Sequence, residues 1–136
     1  MNKNTNEIPN TKNTDSIMSD NKSETSTESI KQHLVMLLEK KKLTRADVIF
    51  SSNLSKSYVY QVFEGKKQPK RNKALAICFG LKLKLDETQQ LLALFGLNEL
   101  SEQNSRDKHI ISALNSGHSV IQCNIDLYEN NMTIIE

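Results

Sequence analysis

Four polar side chains between residues 56 and 61 have the chemistry needed to read base pairs. Gln61 can form a bidentate pair with adenine, Lys56 can reach the acceptor atoms of guanine, and Ser57 suits either base. Ser57 and Gln61 are separated by one helical turn, so a helix presents both on the same face. Tyr60 lies beside them and can contact a thymine methyl group or a phosphate. We therefore predict base contacts from Lys56, Ser57, Tyr60 and Gln61, with an ordinary polar helix surface as the alternative.

Basic residues flank this segment and are candidates for phosphate contacts. Residues 40 to 84 contain twelve Lys and Arg against two acids, whereas residues 85 to 136 contain two against eight. Such segregation orients a molecule on a polyanion, although charge runs are also common on solvated surfaces. Glu64 requires a cationic partner, such as Lys67, because a free acid there would repel phosphate. The helix that starts near Arg45 adds its positive dipole end. The predicted phosphate contacts are Thr44, Arg45, Lys66, Lys67, Lys70, Arg71 and Lys73.

Two short helices around a tight turn must hold these side chains. Thr44 can cap the first helix and Ser55 the second, because both are good N-cap residues. Asn53 tolerates the left-handed backbone of the turn, and Gly65 is a typical helix stop. The predicted apolar faces are Ala46, Val48, Ile49 and Phe50 in the first helix, and Val59, Val62 and Phe63 in the second.

Residues 44 to 65, TRADVIFSSNLSKSYVYQVFEG, resemble the helix-turn-helix domains of the phage-repressor-like (Xre, or lambda-repressor-like) family of bacterial transcription regulators. The sequence departs from the family pattern at Ile49, where a small residue usually lets the two helices approach closely, and at Asn53, which replaces the turn glycine. The resemblance covers about residues 30 to 97. It implies an all-α, five-helix DNA-binding domain with a recognition helix, about residues 55 to 64, in the major groove. The matching residues are Arg45, Val48, Ile49, Asn53, Val59, Val62, Phe63 and Gly65.

The remaining sequence is organised around this domain. Residues 1 to 29 are rich in Asn, Ser and Thr, and we predict a disordered tail because so few apolar residues cannot offset the ordering entropy. Within residues 30 to 97, further helices are predicted at about 29–41, at 71–81, and from a capping box of Asp86 and Gln89 to Gly96. Residue Cys78 is predicted to be a small core residue.

Residues 98 to 136 form a C-terminal extension. Two helices are predicted there, capped by Ser105 and Ser119 and running to about residues 115 and 129. The segment resembles the extension of one subgroup of these regulators. Such a helical hairpin either completes the core or provides a surface for dimerisation or for docking another protein.

The function predicted from these features is a sequence-specific regulator of transcription that binds double-stranded DNA as a homodimer on an inverted repeat. The alternative is a protein-interaction module that keeps the fold but has lost DNA readout, which Ile49, Glu64 and the acidic extension motivate. No enzyme is expected, because no Gly-rich phosphate loop or nucleophile motif occurs. The three His and two Cys residues show no metal-ligand spacing, so no catalytic residue, metal site or cofactor is predicted.

The expected location is the cytoplasm. No apolar stretch is long enough to span a bilayer, and the N-terminus has no apolar signal segment, so no membrane partner is predicted. Two unpaired thiols, Cys78 and Cys123, suit a reducing compartment.

Overall fold

The computed structural model describes residues 15 to 136, with side chains from residue 27 onward. Within this part of the chain all regular structure is α-helical, as predicted. None of the described helices combines the length and the apolar character required to cross a bilayer. The seven helices are α1 (Asp15–Lys41), α2 (Arg45–Ser52), α3 (Lys56–Phe63), α4 (Arg71–Gly80), α5 (Leu85–Leu94), α6 (Ser105–Asn115) and α7 (Val120–Glu129).

Helix α1 is longer than the sequence predicts. It begins at Asp15 rather than near Ser29, so the later part of the predicted tail is helical and residues 1 to 14 lie outside the described residues. Once a helix exists, each added residue gains a hydrogen bond, and no Gly or Pro follows Pro9 before Gly65. A polar composition that cannot nucleate structure can therefore still continue a helix that is anchored further along.

Side-chain caps start three of the helices as predicted. Thr44 Oγ1 accepts a hydrogen bond from the Asp47 backbone N–H, and Ser55 and Ser119 make the equivalent bonds at α3 and α7. Each cap satisfies an N–H group that would otherwise lack an intrahelical partner.

Two other helix starts correct the predictions. The N-cap of α5 is Lys84, and Glu87, rather than Gln89, accepts a hydrogen bond from the N-cap backbone N–H at 2.9 Å. The N-cap of α6 is Asn104, whose side chain accepts from Asp107 N, instead of Ser105. In both cases the capping motif is shifted by one or two residues from its predicted position.

The end of α3 is fixed by Gly65. Its φ of +77° is left-handed, and the N–H groups of Gly65 and Lys66 donate to the carbonyls of Val62 and Gln61. This pair of bonds is the Schellman ending, which closes the last turn of a helix. A similar left-handed turn follows α1 at Lys42, where φ is +58° on a residue that has a side chain.

One hydrophobic core receives buried side chains from all seven helices. In α2 the buried residues are Val48 and Ser52, one turn apart, and they face Gly80 of α4. A Cβ atom on Gly80 would lie 3.0 Å from both Ser52 Cβ and the Val48 carbonyl oxygen, so this glycine allows the close approach of α2 and α4. Ile49 is only partly buried against the core.

The predicted apolar face of α2 is wrong at two positions. Phe50 is 89% exposed, and Ala46 is exposed as well. Because the helix has only two turns, its inner face has room for one line of residues, and Val48 and Ser52 occupy it.

Helices α6 and α7 pack against each other and share the core with α4 and α5. Their attachment is reinforced by arginines that cross between the segments. Arg71 of α4 donates to Asp107 of α6 at 3.0 Å, and Arg106 of α6 donates to Asn72 of α4 at 2.9 Å. The core therefore continues across residue 97, where the sequence suggested a boundary.

Candidate nucleic-acid interface

Helix α3 has one buried and one open face. Val59, Val62 and Phe63 are each at most 1% exposed, and they hold the helix against the core. The Ser55 cap fixes its start, and the turn at Gly65 fixes its end. The helix is therefore anchored at both ends and along one side, which leaves its other side in a defined orientation.

The four predicted base-reading side chains all lie on this open side. Lys56, Ser57, Gln61 and the 37%-exposed Tyr60 are solvent-accessible. The Lys56 ammonium lies 5.9 Å from the centre of the Tyr60 ring, so the two side chains are neighbours along the helix. The arrangement presents donors, acceptors and an aromatic edge to a partner, and their contact with bases stays a prediction.

Arg45 approaches α3 from the start of α2. Its guanidinium lies 5.3 Å from the Tyr60 ring centre and 5.6 Å from that of Phe63, within cation–π range. Its Nη1 is also 2.7 Å from the Glu64 carboxylate. The partner required by Glu64 is thus Arg45, and the prediction of Lys67 is corrected. The Arg45 hydrogen bond lowers the pKa of the Glu64 carboxyl and favours its charged form.

A second group of cations surrounds Tyr58, a residue that the sequence did not single out. The Lys67 ammonium lies 5.9 Å and the Lys73 ammonium 5.7 Å from the centre of its ring. Tyr58 is half-buried, and burial raises the pKa of its phenol above the ordinary value. In the sequence, Tyr58 is one aromatic residue in a helix of mixed aromatic and polar residues, and nothing there indicated its contact with the two lysines.

The turn between α3 and α4 displays the remaining lysines. Gln68 donates from its side chain to the Phe95 carbonyl, and Pro69 is buried, so the turn is attached to the end of α5. Lys66 and Lys70 are exposed on either side of these anchors. Together with Lys67 of the same turn and Lys73 in the first turn of α4, they form a cationic surface that we call the lysine turn.

Besides Arg45, two further predicted phosphate contacts already have partners within the protein. The Thr44 hydroxyl bonds Asp47, whose carboxylate also accepts from the Thr44 backbone N–H at 2.8 Å and so occupies the positive end of α2. The Arg71 guanidinium donates to Asp107 and to the carbonyls of Asn98 and Glu99. The contacts of Arg71 could not be predicted from its position in the sequence, because its acceptors lie more than 25 residues away along the chain.

Both thiols are buried, and one histidine contacts a carboxylate. Burial raises the pKa of Cys78 to about 12 and that of Cys123 to about 11, so both are protonated and inert at neutral pH. His109 pairs with Asp126 at 2.6 Å. Among the described residues no cluster of three His, Cys, Asp or Glu side chains is suitable for a metal ion.

Comparison with protein-family models, with curated proteins and with solved structures gives no match. The open face of α3 and the lysine turn are therefore the features from which a function can be inferred.

Proposed function

We propose that this protein is a sequence-specific regulator of transcription that binds double-stranded DNA through α3. In this proposal α1 to α5 form a helix-turn-helix domain of the phage-repressor-like type, and α6 and α7 form its C-terminal hairpin. Helix α3 enters the major groove, where Lys56, Ser57, Tyr60 and Gln61 contact base edges. The protein acts as a homodimer, because two recognition helices are needed to bind an inverted repeat.

The observation that carries the proposal is the combination of an anchored helix and adjacent cations. Side chains that can hydrogen-bond bases occupy the open face of α3, and the lysine turn begins at Lys66, three residues after the helix ends. Phosphate contacts fix the register of a protein on DNA, while base contacts give the specificity. Both functions are available on one continuous segment, residues 56 to 73.

The number of cations available for phosphate predicts how strongly the DNA affinity should depend on salt. With Arg71 turned to α6 and Arg45 paired with Glu64, the lysine turn supplies four cations for phosphate. Each neutralised phosphate contributes about 0.9 to the slope of log affinity against log salt. We expect a slope of about −4 for one domain and about −7 for a dimer, before any rearrangement of Arg45.

The test begins with selection from random duplexes at near-physiological salt. An enriched inverted repeat with half-sites about one helical turn apart supports the proposal. Gln61→Ala should then cost about 1–3 kcal/mol on the selected site and leave binding to a scrambled duplex unchanged. The matched variant Lys66→Ala should weaken both duplexes equally and reduce the salt slope by about one unit.

A second function is favoured by the acids at this surface. Asp47 neutralises the start of α2, and Glu64 occupies Arg45, which reduces the positive potential beside α3. A protein-interaction module would tolerate such acids. Retention of DNA that depends on salt but enriches no sequence, with equal effects of Gln61→Ala and Lys66→Ala, would replace the first proposal by this one.

A further inference from the structure

The outward side of α7 is an apolar stripe with no partner among the described residues. Ile121, Ile125 and Tyr128 are 60%, 54% and 77% exposed, and their spacing of four and three residues places them on one face. The opposite face, with Val120, Cys123 and Leu127, is buried in the core.

The stripe continues into a groove at the start of α7. The groove has a volume of about 670 Å³, and apolar side chains from five parts of the fold line it, including Phe79, Leu83 and Leu114. Phe50 stands at its edge with 89% of its surface exposed. Single exposed apolar residues are ordinary, but a stripe that joins an apolar groove marks an interaction surface.

The stripe is suited to a contact between two copies of one chain. A two-fold axis through Ile125 would set α7 antiparallel to α7 of the second copy. Ile125 then faces its own equivalent, and Ile121 faces Tyr128 of the other copy. Residue spacings of four and three on either side of Ile125 make these pairs close in register.

The charges at the two ends of α7 favour antiparallel over parallel packing of the two helices. The C-terminal end of α7 carries the exposed Glu129, whereas Lys82 and Lys84 are exposed beside its N-terminal end, along the same groove. Antiparallel helices bring each acidic end to the basic end of the other copy, and the helix dipoles favour the same arrangement. Parallel helices would place like charges together.

From these features we infer that the apolar stripe of α7 is the homodimer interface, with two copies packed antiparallel about Ile125. This interface would be the dimer contact that the proposed function requires, so the inference rests on the proposed function. The hairpin is joined to α4 by the Arg71–Asp107 and Arg106–Asn72 contacts, so the pairing of α7 would also set the separation of the two α3 helices.

Sedimentation of the full chain without DNA, over a wide range of concentration, tests the inference. The wild type should form dimers, and Ile125→Arg should weaken dimerisation by at least roughly tenfold because it places a charge at the centre of the contact. Val35→Arg is the matched control, since Val35 is 43% exposed on α1, away from the stripe, and this variant should dimerise normally. Circular dichroism of each variant establishes that it remains folded.

A charge exchange supplies the second measurement. Glu129→Lys and Lys84→Glu should each weaken the dimer, because each places like charges together. The double variant should restore the dimer, because residues 84 and 129 then carry unlike charges again. A monomeric wild type, a folded Ile125→Arg dimer, or additive effects of the two charge changes would overturn the inference. A stripe covered only by a different protein, with the chain alone monomeric, would overturn it also.

The outcome is separable from that of the DNA proposal. If the stripe is the dimer contact but random duplexes give no enriched sequence, the interface stands and the proposed function fails. If Ile125→Arg dimerises normally while wild type selects an inverted repeat, the function stands and the dimer uses another surface.

Discussion

The turn at Gly65 gives the sharpest quantitative prediction for this fold. At φ of +77°, an added Cβ atom would lie 2.5 Å from Thr27 Cγ2 and 3.3 Å from Lys31 Cδ, both on α1. Gly117 has nearly the same backbone, with φ of +71°, but no atom lies within 4 Å of its added Cβ. Gly117→Ala therefore measures backbone strain alone, and Gly65→Ala measures strain together with a steric clash.

The two effects have known sizes. A left-handed residue with a side chain costs about 1–2 kcal/mol, and the loss of glycine's freedom in the unfolded chain returns about 0.4–1 kcal/mol. Gly117→Ala should thus lower the free energy of unfolding by about 1 kcal/mol. Overpacking adds about 1–3 kcal/mol, since Thr27 is β-branched and moves little, so Gly65→Ala should lose about 2–4 kcal/mol.

Urea denaturation followed by circular dichroism measures both variants, with an unchanged slope expected for each. The difference of about 2 kcal/mol corresponds to roughly 5–10 °C in melting temperature. Adding Thr27→Ala to Gly65→Ala should recover most of the stability difference between the two glycine variants. The effects of distant, independent substitutions simply add, so such a recovery would show that residues 27 and 65 are coupled. Equal losses at the two glycines, or no coupling to Thr27, would refute the packing of α1 against this turn.

Three further predictions concern charge and backbone. Glu64→Gln should free Arg45 for phosphate and tighten binding to all DNA sequences with a steeper salt dependence, and unchanged anisotropy titrations would contradict this. Burial opposes ionisation of Glu87, but hydrogen bonds from two lysines of α1 lower its pKa from 4.5 to about 2. Its contribution to stability is then complete above pH 4.5 and lost as the pH falls towards 2, so wild type should lose more stability than Glu87→Gln over that interval. Lys42→Gly removes a side chain from a backbone at φ of +58° and should raise the free energy of unfolding by about 0.5–1 kcal/mol, measured by urea denaturation; a decrease would show that the side chain makes a compensating contact.

The parts of the fold that could be predicted from sequence are those encoded locally. Thr44, Ser55 and Ser119 cap helices through bonds to residues three positions away, and Gly65 ends α3 through its own backbone. The buried face of α3 follows from the same short-range periodicity. These features depend on nearest neighbours in the chain, so the sequence alone contains them.

What escaped prediction depends on partners distant in sequence. Nothing near Arg71 indicates that its guanidinium binds Asp107, and nothing near Tyr58 indicates the two ammonium groups beside it. Phe50 fits an apolar pattern, yet the short α2 has only one inward line, which Val48 fills. The start of α1 depends on how far an anchored helix continues, and composition does not determine that length.

The arginine contacts between α4 and α6 have a consequence for how this chain can be divided. Exchanging residues 98 to 136 for another sequence would remove Asp107, the acid that pairs with Arg71, and would uncover the core where Ile110 and Leu127 are fully buried. An unpaired charge beside an opened core is among the most destabilising changes a small domain can undergo. The change of charge near residue 97 therefore does not coincide with a break in the fold, and residues 98 to 136 can be transplanted only together with α1 to α5.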